Sequence, residues 1–308
     1  MRLRGVTGCA VAGLMAVGIA GCGSDSSGAG AGETPGVPTV KSERDLPELP
    51  LERYEFSDRD NERHTEAQAR LTRQCMRDLG FDDFPLYPQE PNGRQSVTLT
   101  AVAVTSYPYG PLDLDAARRW GYGYDPKKSG AAAGRAKGRA MTDEEYEALY
   151  GFRRKPSGSG GCAGAGGERL MAGVPDAARM WTYTSERSRR LDKAAAKDER
   201  VRDALGAWSR CMADKGVKRY KTPGDAFGDK AWGRKGRSDG NTTRTQRELA
   251  TAVADVECKR EQNTAGVWWV VREEKQSADV AGHKDAYEAV RADQQRVRAN
   301  VRRILGEK

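Results

Sequence analysis

The chain has 308 residues, with 52 Lys and Arg against 44 Asp and Glu, a formal charge of +8 and a hydrophobic share of 37%. That length suits one large or two small domains, and five Phe among so much charge leave a modest core beneath a well-solvated surface. With only His64 and His283, and no C-x-x-C pair among the later cysteines, a zinc or thiol-redox centre has little to stand on.

Residues 1–22 read MRLRGVTGCAVAGLMAVGIAGC. Arg2 and Arg4 give a positive start, the apolar run from Val6 to Ala20 is too short to span a bilayer as a stable helix, and small residues lead into Cys22. Ile19-Ala20-Gly21-Cys22 fits the bacterial lipobox pattern. The expectation is a signal peptide over residues 1–21 and a mature chain held at the outer face of the cell membrane by acyl chains, palmitate among them, on Cys22. From Gly23 to about Pro50 the chain is rich in Gly, Ser and Pro, so residues 22–50 are expected to be a disordered tether with a reach of about 30 Å. Without residues 1–21, which hold Arg2 and Arg4 and no acid, 287 residues remain with a charge of +6. On an exported chain that balance suits anionic wall polymers or lipid headgroups, and not nucleic acid, which the compartment lacks.

Ser57 is placed to cap a helix over Ser57–Leu79, with Leu71, Cys75 and Leu79 on one face and Gly80 to end it. Pro85, Pro88, Pro91, Pro108 and Pro111 make the stretch from Phe81 to Asp125 mostly irregular, apart from a β-branched run at Ser96–Thr105 that could be a short strand. Residues 126–140 form a basic low-complexity loop. Thr142 and Glu145 make a capping box, with Met141 stapled onto Tyr146, for a short helix that reaches Tyr150 and stops at Gly151. Cys162 follows in the loop-like tract SGSGGCAGAGG.

From Asp176 onward the pattern is helical. Ala177, Trp181, Thr184, Ser188, Leu191 and Ala195 make one stripe, and Val201, Leu205, Trp208 and Met212 make a second that Gly216 ends. Residues 217–242 read as a basic glycine-rich loop. Leu249, Val253 and Val256 line a third helix with Cys258 near its end, and His283, Tyr287, Val290, Gln294, Val297, Val301 and Ile304 repeat the spacing on a long final helix. The expected fold class is mostly α: an antiparallel helical bundle with long irregular loops and little or no β. It divides into an N-terminal helical unit over 51–170 and a C-terminal one over 171–308.

Two segments repeat. Cys75-Met76-x-Asp78-x-Gly80-Phe81 and Cys211-Met212-x-Asp214-x-Gly216-Val217 each end an amphipathic helix with a cysteine, a glycine stop and an apolar residue that folds back. The four cysteines Cys75, Cys162, Cys211 and Cys258 allow three disulfide connectivities; if each unit closes on itself, the pairs are Cys75–Cys162 and Cys211–Cys258.

The lipobox, the Ser/Gly tether, the paired Cys-Met segments, Trp120-Gly121-Tyr122-Gly123-Tyr124, Trp208 three residues before Cys211, and Ala254-Asp255-x-x-Cys258 together resemble a broad group of actinobacterial surface lipoproteins of unassigned function. The resemblance covers nearly all of the mature chain. It implies an envelope location, a mostly helical fold and two disulfides, and it brings no catalytic residues.

No G-x-S-x-G, H-E-x-x-H or phosphate-loop spacing occurs, so no catalytic residue, metal or cofactor is assigned. His283 falls on an apolar stripe and His64 near an exposed helix end, while Asp82, Asp83 and Asp143–Glu145 read as capping and solvated acids. Tyr107, Tyr109, Trp120, Tyr122 and Tyr124 cluster among Gly and Pro, where rings on loops stack on sugars or clamp peptides, or else supply core volume. Trp268 and Trp269 are adjacent on a helix and cannot both face one core. The expected role is non-catalytic binding of a wall polymer or small ligand through those aromatics and the basic loops near Lys127 and Arg234. The alternative is an extracellular subunit of a membrane transporter complex, docking through its last helix. A hydrolase would need a polar cluster in a pocket.

Overall fold

A computed structural model describes residues 36–89, 110–123, 138–151, 160–233 and 244–307. Helix makes up 69% of them and no strand forms among them, although Gln89 and Ala140 share one isolated bridge. The α-helices are α1 (Asp58–Asp78), α2 (Leu114–Trp120), α3 (Asp143–Tyr150), α4 (Gly161–Leu170), α5 (Ala177–Ala195), α6 (Glu199–Asp214), α7 (Pro223–Phe227), α8 (Gln246–Glu261), α9 (Thr264–Gly282) and α10 (Lys284–Leu305). No described helix is long and apolar enough to cross a membrane. The signal segment, Cys22, the Ser96–Thr105 run and most of loop 126–140 lie outside the described residues.

The capping chemistry forms as the sequence predicts. Ser57 accepts from the Asp60 backbone while Asp60 answers the Ser57 N–H, and Thr142 and Glu145 do the same at α3, which ends on left-handed Gly151. Leu79 departs from the expected stripe and is 57% exposed. Eight residues turn a helix about 80° past two whole turns, so Met76 takes the inner position beside Leu71 instead.

The repeated segments close identically. Phe81 N–H donates to the Met76 carbonyl at 3.0 Å and Val217 N–H to that of Met212 at 3.2 Å, a six-to-one closure over Gly80 (φ +93°) and Gly216 (φ +74°). Both Met side chains are buried, and the neighbouring cysteines bridge outward as Cys75–Cys162 and Cys211–Cys258, with Cα separations of 5.6 and 5.7 Å. Each bridge joins a helix end to the helix packed against it, α1 to α4 and α6 to α8.

Several segments differ from expectation. Residues 161–170 form helix α4 despite their glycines. The bridge holds its first turn, and at Gly166 a Cβ would come within 2.8 Å of Gln68 Nε2 and 3.4 Å of Leu71 Cβ, so the missing side chain is what lets α4 approach α1. Helix α2 emerges from the supposedly irregular Phe81–Asp125 stretch behind an Asp113 cap. Within 217–242, a Thr222/Asp225 capping box starts α7 and Asp229 caps a 3-10 turn at Lys230–Trp232, with Tyr220 and Trp232 buried. The chain breaks at His283, which is exposed at the α9–α10 junction rather than packed on a stripe.

Residues 36–50, expected to belong to a disordered tether, pack against the helices. Val40 and Leu49 are buried, and this stretch runs as a strap across the α8–α9 corner. Asn263, in the left-handed region (φ +45°), accepts from Val40 N–H through Oδ1 and donates through Nδ2 to the Pro38 carbonyl, both at 3.0 Å. Trp269 Nε1 donates to Pro47 O (2.9 Å), and Leu51 N–H donates to Gln276 Oε1 (3.1 Å). Side-chain amides and an indole thus supply the partners that an extended backbone lacks.

The boundary expected between residues 170 and 171 does not divide the core. Ala67, Leu71 and Leu170 share one cluster with Met180, Val297 and Val301, and Ala117 and Tyr122 share another with Trp208, Met212 and Val256. All described residues fall within one compact unit.

Candidate functional site

Of the expected binding aromatics, Tyr107, Tyr109 and Tyr124 lie outside the described residues, as do Lys127 and Arg234. Tyr122 is core: it is 3% exposed, its ring meets Phe227 and Trp232 at 5.8 and 5.9 Å, and its backbone N–H donates to Glu248. Trp120 is half-buried, and its carbonyl accepts from Arg244 Nε at 2.6 Å. The Tyr122 ring therefore belongs to the cluster of Trp208, Trp232 and Val256 instead of lining a groove. Cys211 and Cys258 approach Glu261, but their sulfurs are joined to each other and offer no thiolate to a metal.

Between α6 and α8 lies a fully buried charged pair. Lys259 Nζ donates to Asp255 Oδ2 at 2.7 Å, and Trp208 Nε1 donates to Asp255 Oδ1 at 3.0 Å. Burial raises the Asp255 carboxyl and lowers the Lys259 amine, each opposed by the attraction of the other. With neither group reaching solvent, the pair holds α8 together and cannot meet a ligand.

The surface feature with chemical character lies where α1, α5 and α10 converge. Asp60, Arg63 and His64 come from the first turns of α1, at i, i+3 and i+4, so they share a face. Opposite them, α10 contributes Val297 and Val301 as a floor and Arg298 and Arg302 as a rim; Phe56 closes the end. The hollow measures about 60 Å³. Beside it stands Trp181, 43% exposed, its ring 4.8 Å from Phe56 and 5.6 Å edge-on from His64.

The charges here are partly engaged. Arg298 donates to Asp60 (3.0 Å) and lies 5.1 Å over the Phe56 ring, and Arg63 pairs with Glu307. Burial raises Asp60, but its bonds from Arg298 and Ser57 outweigh that and hold it below the usual carboxylate range. Arg302 is exposed and pairs with no acid among the described residues. His64 Nε2 is buried without a hydrogen-bond partner among them, and burial lowers its pKa, favouring the neutral ring. The sequence reading set Trp181 on the inner stripe of α5. Met180 takes that place and turns Trp181 outward by about 100°.

A second cleft, of about 240 Å³, lies under the strap between Leu46, Leu49, Trp268, Trp269 and Arg272. Trp268 faces the core and Trp269 faces the strap, so the pair does divide between two surroundings.

No protein family, curated protein or solved structure matches this chain.

Proposed function

We propose that this is a lipid-anchored protein of the outer membrane face that acts by binding a cell-envelope polymer, with the Trp181 cleft as its ligand site. One observation carries the reading: a large ring left 43% exposed beside Phe56 and His64, on the rim of a hollow bearing three arginines. Exposed aromatic faces flanked by cations suit polyhydroxylated, anionic polymers. Two disulfides in one chain accord with an oxidising compartment. A hydrolytic reading fares worse because the carboxylate of the cleft is held by Arg298 and no hydrogen bond among the described residues fixes His64 Nε2. Docking of a transporter through the last helix is disfavoured because the apolar face of α10 is already covered by α1, α4 and α5.

Purified wall glycan, at low and moderate salt, is expected to retain the protein, and Trp181→Ala to lose most of that retention. Protein that passes through at both salts overturns the role.

A further inference from the structure

Resting on that binding role, we infer that the cleft recognises an anionic saccharide, with the phosphate or carboxylate seated among Arg63, His64 and Arg302 and the sugar ring laid on Trp181. Size comes first. A hollow of about 60 Å³ has room for about four to six waters, enough for one small charged group. Trp181, 43% exposed, stands beside it to meet a ring that carries that group.

Charge and hydrogen bonding set the sign. Arg298 is paired with Asp60 and Arg63 with Glu307, while Arg302 pairs with no acid among the described residues. His64 Nε2, buried in the lining, lacks a partner that an acid oxygen would supply. An oxyanion placed there would accept from His64 and from guanidinium groups at once, as charge-assisted bonds.

The neighbouring ring then points to the class of anion. His64 and Phe56 line the hollow and both pack against Trp181, their ring centres 5.6 and 4.8 Å from its own. An anion in the hollow thus has an exposed indole close by, and an aromatic ring beside a cationic hollow suits a charged group borne on a sugar, as in a hexuronate or hexose phosphate.

Titration calorimetry on the full mature chain tests this with glucose 6-phosphate, glucuronate, glucose and adenosine 5′-phosphate. At least one sugar acid is expected to bind about tenfold or more tightly than glucose, and the tighter of the two identifies phosphate or carboxylate as the natural group. Arg302→Gln, at an exposed position that keeps the fold, is expected to weaken that binding about fivefold or more, and Trp181→Ala to remove it. Equal binding of glucose and both acids, an Arg302→Gln variant with unchanged affinity, or adenosine 5′-phosphate as tight as the sugar acids would each overturn the inference. Wall glycan retained undiminished by both variants overturns this site while the binding role survives. Sugar-acid binding without any glycan retention does the reverse.

Discussion

Lys259 and Asp255 show what position does to a charged side chain. Together they are satisfied, with Trp208 and each other as partners; alone, either would be a bare charge in the core. Lys259→Met is expected to cost about 3–5 kcal/mol in urea unfolding, and the double variant Asp255→Asn/Lys259→Met to recover part of it, since the uncompensated charge goes with the second change. His64 works in the other direction. Burial lowers its folded pKa below 6.5, so the unfolded chain binds its proton more readily. Its contribution is intact above about pH 6.5 and is lost as pH falls through the folded value. The melting temperature is expected to decline as pH falls below about 6.5, and His64→Gln to flatten that limb. Asp229, held near 2 by its bonds from Ala231 and Lys218, titrates far below this window. None of this was legible at residue level: the shift at His64 comes from burial, and Trp181, whose ring packs beside it, lies 117 positions along the chain.

Helix ends were the most legible elements. Ser57, Thr142, Gly151 and the twin Cys-Met-x-Asp-x-Gly stops act locally, through atoms within five residues, and they stand where their spacing predicts. Helix α4 was hidden for a matching reason. Glycine is a poor helix former in isolation, and only the approach of α1 and the bridge to Cys75 make Gly161–Leu170 worth forming. The two bridges close loops of separation 87 and 47, so on the chain-entropy account each contributes about 4 to 5 kcal/mol. A Cys211→Ser/Cys258→Ser variant is expected to lose about 4 kcal/mol in urea unfolding, with the Cys75–Cys162 bridge still intact by peptide mapping. A loss under about 1 kcal/mol would mean that the α6–α8 contact holds without its staple.

At the scale of the whole molecule, periodicity pointed to a helical bundle but not to how its parts interlock. Stripes report which face is inward, not which helix it meets, so the sharing of Leu170, Met180 and Val297 in one cluster could not be read from spacing. The Trp181 cleft was missed for the same reason, being built from residues near 60, 181 and 300. The strap was missed because its prolines and glycines looked like leash, while Val40, Leu46, Leu49, Leu51 and Tyr54 are scattered singly through it. Its attachment has a mechanical consequence. The same strap carries Phe56 into the cleft, yet Asn263 grips it at Pro38 and Val40, well before that point. A pull applied at the leading end is therefore borne at the α8–α9 corner, as by the strain relief on a cable, and the Trp181 cleft downstream stays slack.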